Sequence, residues 1–229
     1  MTTNTKTPYF FTRNPPPIMV FDVESVGLHG QAFAFGYVVI HNEKEVDHGR
    51  FSCPTSTVEG TDEDLEWVLK NTPKLIPNCR NPAELTIIFW NLWKRWKADG
   101  ALLAADCAWP VEARFLMECV DLDKEGRKWE GPYPMLEISS FLMAANMDPM
   151  VEYVRLDDEL PKHCPLADAR QSARLLMDAL KQITHPKSGQ QRTFWMCPIC
   201  SHVMTEEQSK GYKHCPTGVH AVPHVPFFI

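Results

Sequence analysis

Two carboxylates stand two positions apart, Asp22 and Glu24, in the apolar segment Ile18-Met-Val-Phe-Asp-Val-Glu24. The segment predicts a buried strand, in which alternate side chains project to the same face. Buried like charges are costly unless something neutralises them. Mg²⁺ or Mn²⁺ would do so, because both prefer hard oxygen ligands. The pair therefore indicates a metal site, unless one of the two acids lies at a strand edge in water.

A second pair lies near the other end of the same region, where His163 precedes Asp168 by five positions. Pro165 predicts the start of the last long helix, which puts Asp168 in its first turn, where the helix dipole favours an acid. His163 would lie in the preceding loop, so an imidazole and a carboxylate can converge on one point. The competing interpretation is a capping aspartate beside a surface histidine.

Taken together, Asp-x-Glu in the first strand and His-x4-Asp at the last helix resemble the DnaQ-like 3′→5′ exonucleases of the DEDDh class. The resemblance covers roughly residues 18–180 and includes the Ala-Asp-Ala-Arg run at 167–170. It implies a ribonuclease-H-like fold whose acids, Asp22, Glu24 and Asp168 among them, bind two divalent metals. It also implies that His163 activates a water, which attacks the 3′-terminal phosphodiester and releases nucleoside monophosphates.

The fourth acid has two candidates, Asp106 and Glu112. The family usually places an Asp three residues before a hydrophobic pair, which here is Phe115-Leu116, and this register favours Glu112. Residue type favours Asp106, which ends the preceding strand and would point toward the same pocket. Each acid taken singly is also typical of a solvated helix start, and the sequence leaves the choice open.

Substrate contacts follow partly from the resemblance, which implies that the backbone from Ser25 through Val26 and Gly27 to Leu28 approaches the terminal nucleotide. Trp109 neighbours the third motif, and Arg170 follows Asp168 by two and could bind phosphate through its planar fork. The alternative for Arg170 is a solvated helix face. For four tryptophans, helical spacing favours core packing over base stacking: Trp67, Trp90, Trp93 and Trp96.

The C-terminal segment carries a Cys-x2-Cys pair followed by a Cys/His cluster, which is the spacing of a tetrahedral zinc site. We predict a zinc ribbon with the ligands Cys197, Cys200, Cys215 and His220. The alternatives for the fourth ligand are His214, His202 and His224. A short segment buries little core and benefits from such a staple. A disordered tail with chance cysteines is the other interpretation.

The pattern of elements predicts the α/β class, with a mixed sheet flanked by helices. Strands are predicted over 18–24, 31–41, near Phe51, over 101–105 and 135–139, and helices from Thr61, over 82–98, from Pro110, over 140–145 and from Pro165. The predicted organisation is a leader at 1–17, an exonuclease domain at 18–184, a linker at 185–192 and the zinc-ribbon-like module at 193–229.

Charge and composition bound the partners. The net charge is −6, but residues 161–229 hold 8 Lys and Arg against 4 Asp and Glu, whereas residues 1–160 hold 15 against 25. A polyanion would therefore approach the C-terminal part, and an acidic site needs its cations first. Eight cysteines without an apolar leader suggest a reducing, cytoplasmic setting and no membrane association.

The leading hypothesis is thus an exonuclease with two Mg²⁺ or Mn²⁺ ions and one structural Zn²⁺, acting on single-stranded or 3′-ended DNA or RNA. The alternative is a non-catalytic nucleic-acid clamp or an accessory subunit of a polymerase or repair complex on the same fold. A homodimer is a further arrangement to consider.

Overall fold

The computed structural model describes residues 15–184 and, beyond them, the backbone of three short strands. The chain divides into two compact units, residues 1–181 and 182–229. In the second unit the strands β6 (Thr193–Met196), β7 (Val203–Thr205) and β8 (Val225–Phe228) form an antiparallel sheet in the order β7-β6-β8.

The first unit is built on a five-stranded mixed sheet in the order β3-β2-β1-β4-β5. Its strands are β1 (Ile18–Ser25), β2 (Ala32–His41), β3 (Lys44–Ser52), β4 (Leu102–Ala105) and β5 (Met135–Glu137). The first three are antiparallel, whereas β4 and β5 run parallel to β1. The carboxyl ends of β1, β4 and β5 therefore meet at one edge of the sheet.

Six helices surround this sheet: α1 (Asp62–Asn71), α2 (Pro82–Ala98), α3 (Val111–Asp121), α4 (Lys124–Arg127), α5 (Ile138–Ala144) and α6 (Pro165–Thr184). Local chemistry sets their starts. Asn81 caps α2 by accepting the backbone N–H of Glu84 at 3.0 Å, and Thr61 caps α1 by accepting that of Asp64 at 3.1 Å.

One face of the sheet packs on α2 and α3 through four buried phenylalanines. The ring of Phe89 lies 5.0 Å from Phe21, 5.2 Å from Phe35 and 5.0 Å from Phe115. Phe21 and Val23 belong to this core, so strand alternation turns Asp22 and Glu24 to the opposite face. The apolar core on one face therefore presents both carboxylates on the other.

Helix α6 begins directly beside β2, where Gly36 pairs with Asp22 across the ladder. A Cβ placed on Gly36 would lie 2.2 Å from the backbone N of Leu166 and 2.2 Å from the carbonyl C of Pro165. A side chain there would push the helix away, so the glycine lets the first turn of α6 approach Asp22.

The α/β layout and the mixed sheet are confirmed. The last strand is shorter than the predicted 135–139, and α5 begins at Ile138 because Glu137 caps it by accepting the backbone N–H of Ser140 at 2.9 Å. The prediction of core packing is confirmed for Trp90 and Trp93 but is wrong for Trp67, which is 53 % exposed. None of the helices within residues 15–184 is long and apolar enough to cross a membrane.

Candidate active site

Asp22 is the centre of an acidic cluster at the carboxyl edge of the sheet. Its Oδ2 atom is buried and has no hydrogen-bond partner among the described residues. Burial raises the pKa of Asp22 well above its usual value, and the neighbouring charges of Glu24, Asp168, Glu112 and Asp106 raise it further. A buried carboxylate among other acids is stable only when a proton or a cation neutralises it.

Glu24 shares this environment. Burial, with smaller contributions from Asp168 and Glu112, raises the pKa of Glu24 to about 8. A glutamate with this pKa is largely protonated at neutral pH until a cation displaces the proton. The strand alternation expected for Asp22 and Glu24 thus produces the crowded pair of acids that the sequence indicated.

His163 and Asp168 join the pair from the start of α6. One ligand atom each of Glu24, His163 and Asp168 lie within 4.8 Å of one another. The Nδ1 atom of His163 is 4.0 Å from Oε1 of Glu24. His163 has a left-handed φ of 60°, uncommon for a residue with a side chain, and its backbone N–H donates to the carboxylate of Asp168. The loop before α6 therefore holds both groups at one point.

Both candidates for the fourth acid lie near this cluster. Glu112, at 8 % exposed, accepts a backbone hydrogen bond from Val23, and burial raises its pKa to about 7. Asp106 is more exposed than Glu112. Partial burial of its carboxylate nevertheless raises its pKa, and the neighbouring charges of Glu137 and Asp168 raise it further. The fold brings five carboxylates together, so it does not select between the two by proximity alone.

The donor set suits hard divalent cations. An unpartnered buried oxygen on Asp22, together with carboxylates from β1, α3, α6 and the residue after β4, forms the all-oxygen set that Mg²⁺ or Mn²⁺ takes in proteins. Without such an ion, the ionised carboxylates would repel one another. This electrostatic repulsion favours a metal site more strongly than the presence of any single acid does.

The loop after β1 has the geometry of a tight backbone approach. Gly27 has a left-handed φ of 78°, and the hydroxyl of Ser25 donates to its carbonyl at 2.7 Å. Leu28 is 68 % exposed, whereas the side chain of Val26 is buried in the core. Leu28 is thus the member of this loop whose side chain is free to touch a ligand.

The two remaining predicted substrate residues have different surroundings. Trp109 is 71 % exposed beside the start of α3. Arg170 makes a bidentate ion pair with Glu45 of β3, at 3.1 Å from Nε and 2.9 Å from Nη2. Its fork is engaged within the protein, so phosphate would have to compete with Glu45.

Three residues near the cluster were not predicted to belong to it: Trp67 was assigned to the core, and Arg155 and Glu137 were given no role. Arg155 forms an ion pair with Asp168, and the ring of Trp67 lies 5.6 Å from that of His163 in an edge-to-face arrangement. Glu137 lies beside Asp106. They come close to the cluster from segments that are far apart in the chain. For Trp67, the many charged residues of α1 could have indicated that the helix is largely exposed.

The predicted zinc ligands Cys197, Cys200, Cys215 and His220 lie outside the described residues, as do the alternatives His214, His202 and His224. Their zinc site stays a prediction at the level of geometry.

With this geometry established, the fold can be compared with known structures. Exonuclease I from Methylocaldum szegediense superposes with a TM-score of 0.52 at 14 % identity, covering 83 % of this chain and 50 % of that protein. The chain shares its fold with that exonuclease. It spans about half of the other protein's length.

Two further solved structures are similar over much of the chain. A full-length 3′-exonuclease matches at 14 % identity and TM-score 0.43, covering 82 % of this chain and 66 % of its own. The zinc-bound E. coli ExoI–ssDNA complex matches at 13 % identity and TM-score 0.48, covering 75 % and 41 %.

Sequence comparison adds one finding at the C-terminal end. The family described as the second zinc finger domain of IFT121 matches residues 188–217, which include Cys197, Cys200 and Cys215. The match supports a zinc-binding module there. No curated protein matches the chain.

Proposed function

We propose that this protein is a metal-dependent 3′→5′ exonuclease that hydrolyses the 3′-terminal phosphodiester of DNA or RNA and releases nucleoside monophosphates. The observation that carries the proposal is the buried, unpartnered Oδ2 of Asp22 within a cluster of acids that also contains His163. The shared fold with Exonuclease I is in keeping with it.

In this function the acids hold two Mg²⁺ or Mn²⁺ ions, with Asp22, Glu24 and Asp168 as ligands and Glu112 or Asp106 as the fourth acid. The ions supply stabilisation of the attacking and leaving oxygens of an in-line displacement. The carboxylates are poised for such a role because burial disfavours their charge until a cation arrives.

His163 is the general base of the proposed reaction. Histidine is the side chain that most often serves as a general base in enzymes. Its ring is one-third exposed and lies near Glu24, so it can reach a water held beside the acids.

Two exposed apolar side chains supply contacts for the terminal bases. Trp67 presents an exposed ring next to His163, and Leu28 projects from the loop after β1. Stacking on an aromatic ring binds bases of any sequence, which suits an exonuclease that degrades single strands. We therefore assign Trp67 to substrate binding, instead of the core packing that the sequence predicted.

The decisive experiment follows matched 5′-labelled DNA and RNA strands on sequencing gels with Mn²⁺ or Mg²⁺. We expect a ladder of shortened products that disappears with chelator and with Asp22→Asn. The matched control is Asp99→Asn, which removes an exposed acid at the end of α2 and should keep full activity. Binding of the strands without any shortening would replace the enzyme by the non-catalytic clamp, and the faster of the two ladders assigns DNA or RNA.

A further inference from the structure

Arg155 is a cation set directly against the acidic cluster. Its Nη1 atom pairs with Oδ1 of Asp168 and also donates to the carbonyl of Glu159 at 2.9 Å. The two side chains are well covered, with 15 % of Arg155 and 13 % of Asp168 exposed. The guanidinium therefore touches a proposed metal ligand from the side of the 153–160 segment.

Helix α6 holds that segment in place through residues one turn apart. Arg174 binds the carboxylate of Glu159 at 2.5 and 2.8 Å and the carbonyl of Val154 at 2.9 Å. Gln171 donates to the carbonyl of Tyr153 at 3.1 Å. Since Glu159 is 2 % exposed, this anchor is buried and fixed. Asp168 and the anchor of Arg155 thus belong to one face of one helix.

The hydrogen bonds of Arg155 do not account for its burial by themselves. Its Nε atom is buried and has no acceptor among the described residues, an arrangement that costs free energy. What the residue brings is a positive charge, which opposes the rise that burial causes in the pKa of both Asp168 and Asp106. With Glu137 beside Asp106, the acids of the site outnumber the four positive charges of two divalent ions. Arg155 offsets part of the remaining negative charge, which would otherwise repel a phosphodiester.

We propose that Arg155 is a positioning residue, which orients the carboxylate of Asp168 toward Glu24 and His163 and offsets part of the negative charge of the acids so that the metal-loaded site accepts a phosphodiester. This inference rests on the proposed function. A carboxylate oxygen has two lone pairs, so Asp168 can accept from Arg155 and still ligate a cation. Hydrogen-bonded partners of metal ligands commonly set metal affinity in this way.

The test makes the same chemical change at two arginines. Arg155→Lys keeps the charge but breaks the Nη1 contacts with Asp168 and Glu159. The control, Arg80→Lys, changes an exposed arginine whose partner is Glu84 of α2. Manganese binding to the zinc-loaded, full-length protein is measured by calorimetry. We expect the Kd for Mn²⁺ to rise about tenfold or more in Arg155→Lys and to stay within about twofold in Arg80→Lys.

Arg155→Gln removes the charge and is measured in the same way. We expect its Kd for Mn²⁺ to rise as well. We also expect its KM for oligonucleotide to rise more than that of Arg155→Lys. If both Arg155 variants bind Mn²⁺ as the wild type does, or more tightly, the inference is wrong even when wild-type nuclease activity is intact. If the wild type binds Mn²⁺ but shortens no strand, the proposed function fails, whereas weaker binding by the variants still upholds the role of Arg155. A wild type that binds no Mn²⁺ overturns both.

Discussion

The proposed divalent cations would compete with protons for the carboxyl groups of Asp22, Glu24 and Glu112, because the pKa of each is raised. Burial raises the pKa of Glu24 to about 8 and that of Glu112 to about 7. Metal binding at neutral pH would therefore release protons, and cation affinity should rise with pH through this range. The same competition affects stability when the cation is missing.

Glu24→Gln should stabilise the protein without Mg²⁺ or Mn²⁺ at alkaline pH. A raised folded-state pKa means that the folded form binds more protons than the unfolded one between about pH 4.5 and 8. Wild-type stability therefore falls as pH rises through this window, whereas glutamine has no proton to lose. At pH 8.5 we expect a gain of at least about 1 kcal/mol, or roughly 2–4 °C in Tm for a domain of this size.

Thermal unfolding at pH 4.5 and 8.5, in buffer freed of Mg²⁺ and Mn²⁺ without stripping zinc, measures the difference. Glu63→Gln, an exposed acid in α1, is the control and should show no pH-dependent gain. A gain for Glu24→Gln that is equal at both pH values would contradict the assignment of the raised pKa to Glu24.

The fourth acid can be assigned by amide substitution. Glu112 is nearly buried and influences both Asp22 and Glu24, whereas Asp106 lies toward solvent beside Glu137. We expect Glu112→Gln to lower kcat by at least about 100-fold and Asp106→Asn by about tenfold, the range for partners that only support metal ligands. Exonuclease rates at saturating Mn²⁺ decide, and the reverse order would show that residue type, not helical register, selected the ligand.

At the scale of elements, the contact between β2 and α6 fixes the distance between the two halves of the site. Gly36→Ala should separate them, because its Cβ would meet the backbone of Pro165 and Leu166 at 2.2 Å. We expect a loss of about 1–3 kcal/mol from overpacking and a larger proportional loss of nuclease activity, since Asp168 moves with the helix.

Gly49→Ala in β3 is the matched control for this element. Its Cβ would approach the ring of Tyr37 at 2.8 Å, which is a side chain and not helix backbone. Guanidinium unfolding and exonuclease rates of the two variants should therefore separate stability from activity. If Gly36→Ala retained wild-type rates at a temperature where it is folded, the placement of α6 would not depend on the glycine.

The elements themselves were largely predictable, and for local reasons. An apolar run predicts strand β1, and apolar side chains at helical spacing predict α2 and α6. The end of β5 was misjudged because the capping carboxylate of Glu137 begins α5 earlier. Trp67 was misassigned because the periodicity of a helix gives no information about whether another element covers its face.

At the scale of the whole molecule, the second compact unit has its own stabilising requirement. It spans residues 182–229, and chains this short usually need a disulfide or a metal to fold stably. We predict that Cys197→Ser lowers the zinc content from about one ion per chain toward none and abolishes the folded state of the segment. The unit of residues 1–181 should keep its unfolding transition, because its core is formed by its own sheet and helices.

Elemental analysis of protein purified without chelator, together with calorimetric unfolding, tests this. Cys107→Ser removes an exposed free cysteine of the first unit and is the control. Full zinc content in Cys197→Ser would exclude this residue as a ligand, and absence of zinc from the wild type would remove the zinc ribbon altogether.

The sequence by itself determined the features that depend on neighbours along the chain. Alternation in a strand puts Asp22 and Glu24 on one face, and the first turn of a helix brings His163 near Asp168, whatever the rest of the protein does. Only the tertiary structure decided the contacts between residues that are distant in the sequence. These are Gly36 with the start of α6, Trp67 with His163, and Arg155 with Asp168. The reason is physical, because these contacts depend on how the sheet and helices pack, and spacing along the chain does not encode that. The placement of Asp22 and Glu24 on one face, which first suggested a metal site, is thus a local feature. The placement of the Arg155 guanidinium beside these acids is a property of the fold.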